Sequence, residues 1–580
     1  MGRLPYMQDI RTTRKMISEF GGYNHSLQIN ENEFDGMKNM SSSFNPVLSP
    51  RKKRGIFTQL TRPNGLTAKS NLFWVDGGTL FHNGASVLGL TLQDNEKQFV
   101  SMGAYLLIWP DKVYYNTADQ THGKLEAAIT IPGDISCSLT KQDGTSFGTP
   151  TVSADEPNEP ENGDLWLDTS SNTHVLKQFA EASGTWVPVA TTYVKIAAEN
   201  IGAQFKQYDG VKVSGFANTA LNGDFILYGA DTNYIIITGL IDTTVTQTGG
   251  VTVSRTVPDM DFLTESENRV WGCSSEKHEI YACKLGDPFN WHCFMGLASD
   301  SYTATIGSDG DFTGICTHRG YVCIWKEDML HKVAGSKPAN YQITNTVCRG
   351  VEKGSEKSMS IVNEVLFYKS RNGICAYDGA LPYSVSDNLG DVRYRNAVGG
   401  SLGNKYFVSM LDTAGTAHLF VYDMSVGLWH REDNMHVSYF ATHEGELFFL
   451  DADTNRIMTV NGRLSVHEGG VKHDAEYGAA EGAFDWLVES GDIGLGLPDN
   501  KYISKLLIRM EMAEAGTINV SLNYDGAEAW KNTVVVTTQA LRTIMLPIIP
   551  RRCDHMRIRI FGTGDCKIYS ITKTIEEGES

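Results

Sequence analysis

"VNEVLFYKSRNGICAYDG", residues 362–379, holds two apolar runs rich in Val, Phe, Tyr and Ile, separated by the polar turn Ser-Arg-Asn-Gly and closed by Asp-Gly. β-Branched and aromatic side chains suit a pleated surface, and Asn, Gly, Asp and Ser suit the tight turns between strands. Each run is too short for a helix and too uniformly apolar for a solvated strand, so the stretch reads as a buried hairpin. The same pattern returns in "ENRVWGCSSEKHEIYAC" (267–283), "HRGYVCIWKEDMLHKV" (318–333), "LGNKYFVSMLDTAGTAHLFVYD" (402–423) and "HEGELFFLDADTNRIMTV" (443–460). First strands begin near 269, 319, 365, 404 and 446, at intervals of 50, 46, 39 and 42 residues. An earlier copy is "MGAYLLIWPDKVYYN" (102–116). A period of roughly 40–50 residues of short strands predicts β-propeller blades. The copies predict an all-β fold with about six blades, closing near 57–80. A row of β-sandwiches is the competing reading of the same spacing.

The 580 residues carry a formal net charge of −18, unevenly spread. Residues 1–60 hold nine Lys/Arg against five Asp/Glu, a net of +4, leaving −22 for the remainder. An acidic body disfavours static nucleic-acid binding and does not exclude a surface that DNA slides past. No apolar run reaches the roughly 18 residues of a membrane helix. No apolar leader follows the initial Met either, so no membrane span or signal peptide is expected. None of the ten cysteines forms a CxxC pair, so buried, reduced thiols are expected rather than zinc ligands.

Two stretches depart from the repeat. Residues 126–195 are expected to form an inserted β hairpin domain, with Trp166, Phe179 and Trp186 along it, and 196–261 a second inserted small β domain. Residues 479–580, with "KYISKLLIRMEM", "TINVSLNYDGAEAW" and "CDHMRIRIFG", alternate with period 2 and predict a C-terminal antiparallel β-sandwich. The propeller would then occupy 57–125 and 262–478, behind an extended N-terminal arm of residues 1–56. Removing that arm should leave a folded protein, as should replacing the inserted block by a short bridge.

Candidate chemistry is sparse. No phosphate loop, HExxH or GxSxG occurs, and "DADTN" (451–455) lacks the Gly and Glu of a calcium loop and reads as a hairpin turn. No catalytic residue, metal site or cofactor is expected. "GLWHRED" (427–433) gathers Trp, His, Arg, Glu and Asp in seven positions. Its Trp429-His430 echoes Trp291-His292 in "YACKLGDPFNWHCF", each pair following a strand and a turn, which points to a structural blade-end role for all four residues. The run Arg51, Lys52, Lys53, Arg54 reads as a candidate interface turn, with phosphate binding as the alternative.

"EFGGYNHSLQINENEFDGMKNMSSSFNPVLSPRKKRG" (19–55) resembles the start of tailed-bacteriophage tail proteins. "KLGDPFNW", "GSDGDFTGI", "FYKSRNGICAYDG" and "VYDMSVGLWHRED" are similar to segments of phage tail stabilisation and hub proteins. The overall plan is similar to the tail nozzle (tubular) proteins of short-tailed phages. The resemblance implies a structural virion protein, not an enzyme, made in the host bacterial cytoplasm. It implies a ring of identical subunits, a hexamer, that lines the DNA ejection channel. Its partners would be further copies of itself, other tail proteins such as adaptor or fibres, and viral DNA in transit. Such a ring would carry an acidic or neutral wall, with the basic arm turned toward a neighbouring protein. The alternatives are a propeller lectin or glycan-degrading tail protein, and a minor tail protein of a long-tailed phage.

Overall fold

The computed structural model describes residues 12–468, 471–476, 481–497, 500–513, 516–536 and 540–577. It is all-β, with four single-turn 3₁₀ helices as its helical elements among the described residues. Among the described residues, and apart from a sheet between 151 and 188 whose first pair is parallel, seven four-stranded sheets have the blade pattern, in which strands neighbour one another in chain order. They span 63–91, 98–124, 262–305, 314–347, 360–384, 395–431 and 437–459. The last has three strands of its own and takes Gly55–Gln59 as its fourth, paired antiparallel with Arg456–Thr459. The propeller-type fold expected from the repeat is therefore present, with one more blade than the copies that the repeat displays. The additional sheet, 63–91, carries Leu72, Phe73, Trp74 and Val75 buried along one strand.

Residues Met1–Glu96, Trp325–Leu330 and Asn345–Ser580 form one compact unit, and Lys97–Ile324 with His331–Thr344 form the other. In the first unit, two five-stranded sheets make the sandwich expected at the C-terminus. The N-terminal segment is not an extended arm beside it. Thr12–Ile17 pairs with Cys566–Glu577 in one sheet, and Phe34–Lys38 pairs with Asp485–Ser490 in the other. The reason is burial: Phe20, Tyr23, Phe34, Met37 and Met40 join a single core with Trp486, Ile508, Ile560, Phe420 and Trp429. Gly22 shows how close this packing is. A Cβ there would lie 2.1 Å from the carbonyl oxygen of Trp429, so only glycine fits.

In the second unit, the inserted block is one small domain with another nested in it, rather than two in succession. Ala127–Ile131 pairs with Val251–Arg255, and Asp134–Thr140 pairs with Tyr193–Ala197 and Val245–Thr248. The strands on either side of the nested piece share one core, including Ile135, Val194, Ile196, Val213, Ile235 and Val253. The expected division at 195/196 therefore falls inside the strand Tyr193–Ala197. The nested sheet, built from strands between 151 and 188, has its own small core of Leu165, Leu167 and Leu176.

Two deletions test this architecture. Removing residues 1–54 takes one strand from each sandwich sheet and opens their shared core. The shortened protein should lose β circular dichroism and fall to limited proteolysis, the reverse of the outcome expected for a free arm. Replacing 128–254 by a short Gly/Ser bridge should leave the blade sheets folded by the same measurements. Ala127 and Arg255 are register partners, so the cut ends already lie side by side.

Candidate functional site

Of the residues singled out in the sequence, the basic run meets the acidic end of "GLWHRED", whereas Trp291 and His292 lie in the other unit. Arg51 and Arg54 are buried, whereas Lys52 and Lys53 are exposed. Arg51 holds Glu481 through both terminal nitrogens, at 2.7 and 2.8 Å, and its Nε donates to Asn39 Oδ1 at 2.8 Å. Arg54 reaches Glu432 Oε2 and Asp433 Oδ2, each at 2.6 Å. The acidic end of "GLWHRED" is thus the counter-charge of the basic run. Neither arginine is available to a phosphate or a partner protein, and of the four candidate interface residues only the two lysines face solvent. Burial raises the Asp433 carboxyl, but Arg54 and then Arg51 outweigh it and hold Asp433 below the ordinary aspartate range. Glu481 is lowered in the same way, burial opposing and Arg51 prevailing.

Trp429 lies within the outer blade strand Leu428–Arg431, fully buried, and its indole N–H donates to the Val385 carbonyl at 2.6 Å. Its own carbonyl accepts from Tyr23 N–H at 2.6 Å. His430 is buried beside it. Its Nδ1 has no hydrogen-bond partner, and burial, with Lys405 nearby, pushes its pKa down to about 4. Trp291 is equally buried, but it sits in the loop after Glu279–Ala282 instead of on a strand, with its indole N–H on the Pro288 carbonyl at 2.9 Å. His292 is exposed, and it is its backbone that packs: a Cβ on Gly210 would come within 2.2 Å of the His292 carbonyl oxygen. The neighbouring Asn290 side chain accepts from Gly210 N–H and donates to the Tyr208 carbonyl, tying this blade loop to the inserted domain. Both tryptophans brace packing, but at places that are not equivalent.

The second unit also holds a cleft that neither motif nor repeat marks. It encloses about 400 Å³, within the roughly 300–1,000 Å³ usual for ligand pockets. Tyr105 and Tyr114, from strands Tyr105–Trp109 and Val113–Asn116, meet Phe289 from the "DPFNW" loop. The three rings are mutually near-perpendicular, with centroids 5.1–5.5 Å apart. The inserted domain supplies the opposite wall with Gln204, Lys206, Asp209 and Arg255. Asp209 and Arg255 form a buried ion pair at 2.6 Å, and Arg255 lies 5.6 Å from the Phe289 centroid. Asp287 accepts from Phe289 N–H at 3.1 Å, and burial lifts its carboxyl above the ordinary aspartate range. The rings along the nested hairpin are packed on one another, Trp166 on Trp186 at 5.6 Å and Phe179 on Trp186 at 5.4 Å. Among the described residues, no group of three or more His, Cys, Asp or Glu side chains could hold a metal ion.

Three outcomes test the residues at the sandwich. Trp429→Ala should destabilise the protein by about 3–5 kcal/mol in denaturant unfolding, as expected for truncating a fully buried ring. Arg54→Ala removes the nearer counter-charge of Glu432 and Asp433, leaving them only Arg51 at 3.8 and 3.4 Å, and should cost up to about 3–5 kcal/mol. His430 is neutral in the folded state and has a depressed pKa, so its contribution is intact above about 6.5 and is lost as pH falls toward 4. His430→Gln should therefore flatten that part of the stability–pH profile, by up to about 3 kcal/mol.

No protein-family model matches the chain, and no curated protein matches its sequence. Solved structures resemble it at low identity. BamB from Moraxella catarrhalis is 10% identical, with 71% of this chain and 97% of that one covered and a TM-score of 0.30. The phage phi92 endosialidase is 9% identical over 81% of this chain and 71% of that one, at a TM-score of 0.22. An exo-β-1,3-galactanase from Phanerochaete chrysosporium is 8% identical over 54% and 94%, at a TM-score of 0.20.

Proposed function

We propose that the protein is a structural subunit of a tailed-phage tail, assembled as a ring of identical copies, six in number, around the path of the DNA. The observation that carries this reading is the placement of residues 19–55, the stretch that most resembles phage tail proteins. That stretch is not a free tether. It supplies a sandwich strand, the Gly22–Tyr23 contact to Trp429, and both arginines of the buried charge cluster. Its chemistry is spent on joining a blade sheet to a sandwich, which is what a load-transmitting subunit needs. The acidic balance beyond residue 60 suits a channel wall that leaves a passing duplex unbound, since each Lys or Arg contact to phosphate adds sequence-independent affinity.

Native mass spectrometry of the purified protein, with electron microscopy of the same sample, tests the proposal. A ring of six copies with an acidic or neutral inner surface is expected. A protein that stays monomeric, or a ring whose channel is lined mainly by Lys and Arg, would overturn it.

A further inference from the structure

We propose that the cleft walled by Tyr105, Tyr114 and Phe289 is a carbohydrate-binding site, independent of the assembly role. The cleft combines two surfaces that one ligand must satisfy together. One is apolar: three ring side chains, each only partly buried, on the rim of the core formed by Leu107, Trp109 and Trp291. The other is polar and unspent. The Tyr114 hydroxyl, the Lys206 ammonium, the Gln204 side-chain amide and Asp287 Oδ2 make no hydrogen bond among the described residues, although all four residues line the cleft. Arg255 is buried, and its Nε has no partner although its other nitrogens bond Asp209 and the Leu125 carbonyl. Buried polar atoms are almost always paired, so an orphaned donor beside a cleft calls for a partner from outside the chain.

A purely apolar ligand would leave these groups unsatisfied, and a small anion would leave the rings bare. A sugar has an apolar C–H face to lay against an aromatic ring and a rim of hydroxyls that both donate and accept. The polar set around the cleft is mixed in the same sense: ammonium, guanidinium and amide N–H donate, and the Asp287 carboxyl and the amide oxygen accept. The walls are preorganised. The Asp209–Arg255 pair stiffens the wall from the inserted domain, and the Asn290 bonds to Gly210 and Tyr208 fix that domain against the blade loop that carries Phe289. A ligand therefore orders little when it binds.

The test uses the full-length protein on an array of neutral and acidic oligosaccharides, followed by calorimetric titration of the glycan it retains best. The variants are Lys206→Ala, whose side chain is exposed, and Tyr114→Phe, which keeps the ring and removes the hydroxyl. Lys206→Ala removes an exposed side chain whose ammonium lies 5.8 Å from the Phe289 centroid, and Tyr114→Phe removes only a hydroxyl, so folding and oligomeric state should be unchanged. The double variant should bind the selected glycan at least about tenfold more weakly, as for one or two lost ligand hydrogen bonds. Trp186→Ala, in the other ring cluster, should bind as the native protein does. Retention of no glycan, or retention unaffected by the double variant, would overturn the proposal. So would loss of binding in Trp186→Ala alone.

Discussion

Two arginines and Glu432, all buried, together with the half-buried Asp433 and Glu481, set the arrangement of the first unit. Arg51 and Arg54 come from the segment just before the strand Gly55–Gln59. Glu432 and Asp433 follow the outer strand of a blade sheet, and Glu481 leads into the sandwich. The partners are 378 to 430 residues apart in the chain. Taking such charges out of water costs several kcal/mol each unless every one is paired. Local structure cannot pair them, so the cost is offset only when the N-terminal segment, the blade and the sandwich reach one mutual position. The apolar core around Trp429 and Trp486 supplies the stabilising area, and the charge cluster supplies the discrimination against slipped arrangements. The basic run Arg-Lys-Lys-Arg divides accordingly: its outer members turn inward to carboxylates and its middle members stay in water.

The blades were legible because they are built from local contacts. Each is a run of hairpins whose turns carry Gly, Asn or Asp, and each central strand is buried on both faces, as in Val365–Ser370 and Glu446–Asp451. A strand buried on both faces shows as a short apolar run bounded by turn residues, which a single sequence displays. In the sequence the sheet at 63–91 reads only as the place where the ring closes, near 57–80; its outer strand, Ala85–Thr91, carries Val87, Leu88 and Leu90 but is mostly exposed. The N-terminal strands escaped altogether. Phe34–Lys38 contains Gly36 at a register shift, and its pairing partner lies some 450 residues away at Asp485–Ser490. No periodicity within 1–56 announces a strand whose pattern is completed by a sheet at the other end of the chain.

The Trp-His echo shows how far local similarity carries. Both tryptophans are buried with the indole N–H on a backbone carbonyl, and burial is what a Trp after a strand and turn foretells. Where the ring goes is decided by what lies opposite. Trp429 faces the N-terminal segment through Tyr23, and its neighbour His430 is sealed in beside Lys405. Trp291 stands under the inserted domain, and its neighbour His292 offers a carbonyl to the backbone at Gly210. The same dipeptide thus leaves one histidine buried and neutral and the other at the surface.

The cleft was the least legible feature because none of its members is unusual alone. Tyr105 and Tyr114 read as strand residues of the first repeat copy, Phe289 as part of a blade-end turn, and Arg255 as the end of an alternating strand. They meet because the insertion leaves and re-enters the blades through adjacent strands, with Ala127 opposite Arg255. That pairing swings Gln204, Lys206 and Asp209 over the rings. An insertion anchored by two neighbouring strands adds a wall to the blade surface without disturbing the sheets beneath it. In this chain the repeat provides the rigid floor and the interruption provides the polar side of the cleft. A departure from periodicity is therefore where the polar residues available to a ligand collect, above rings that the periodic strands leave only partly buried.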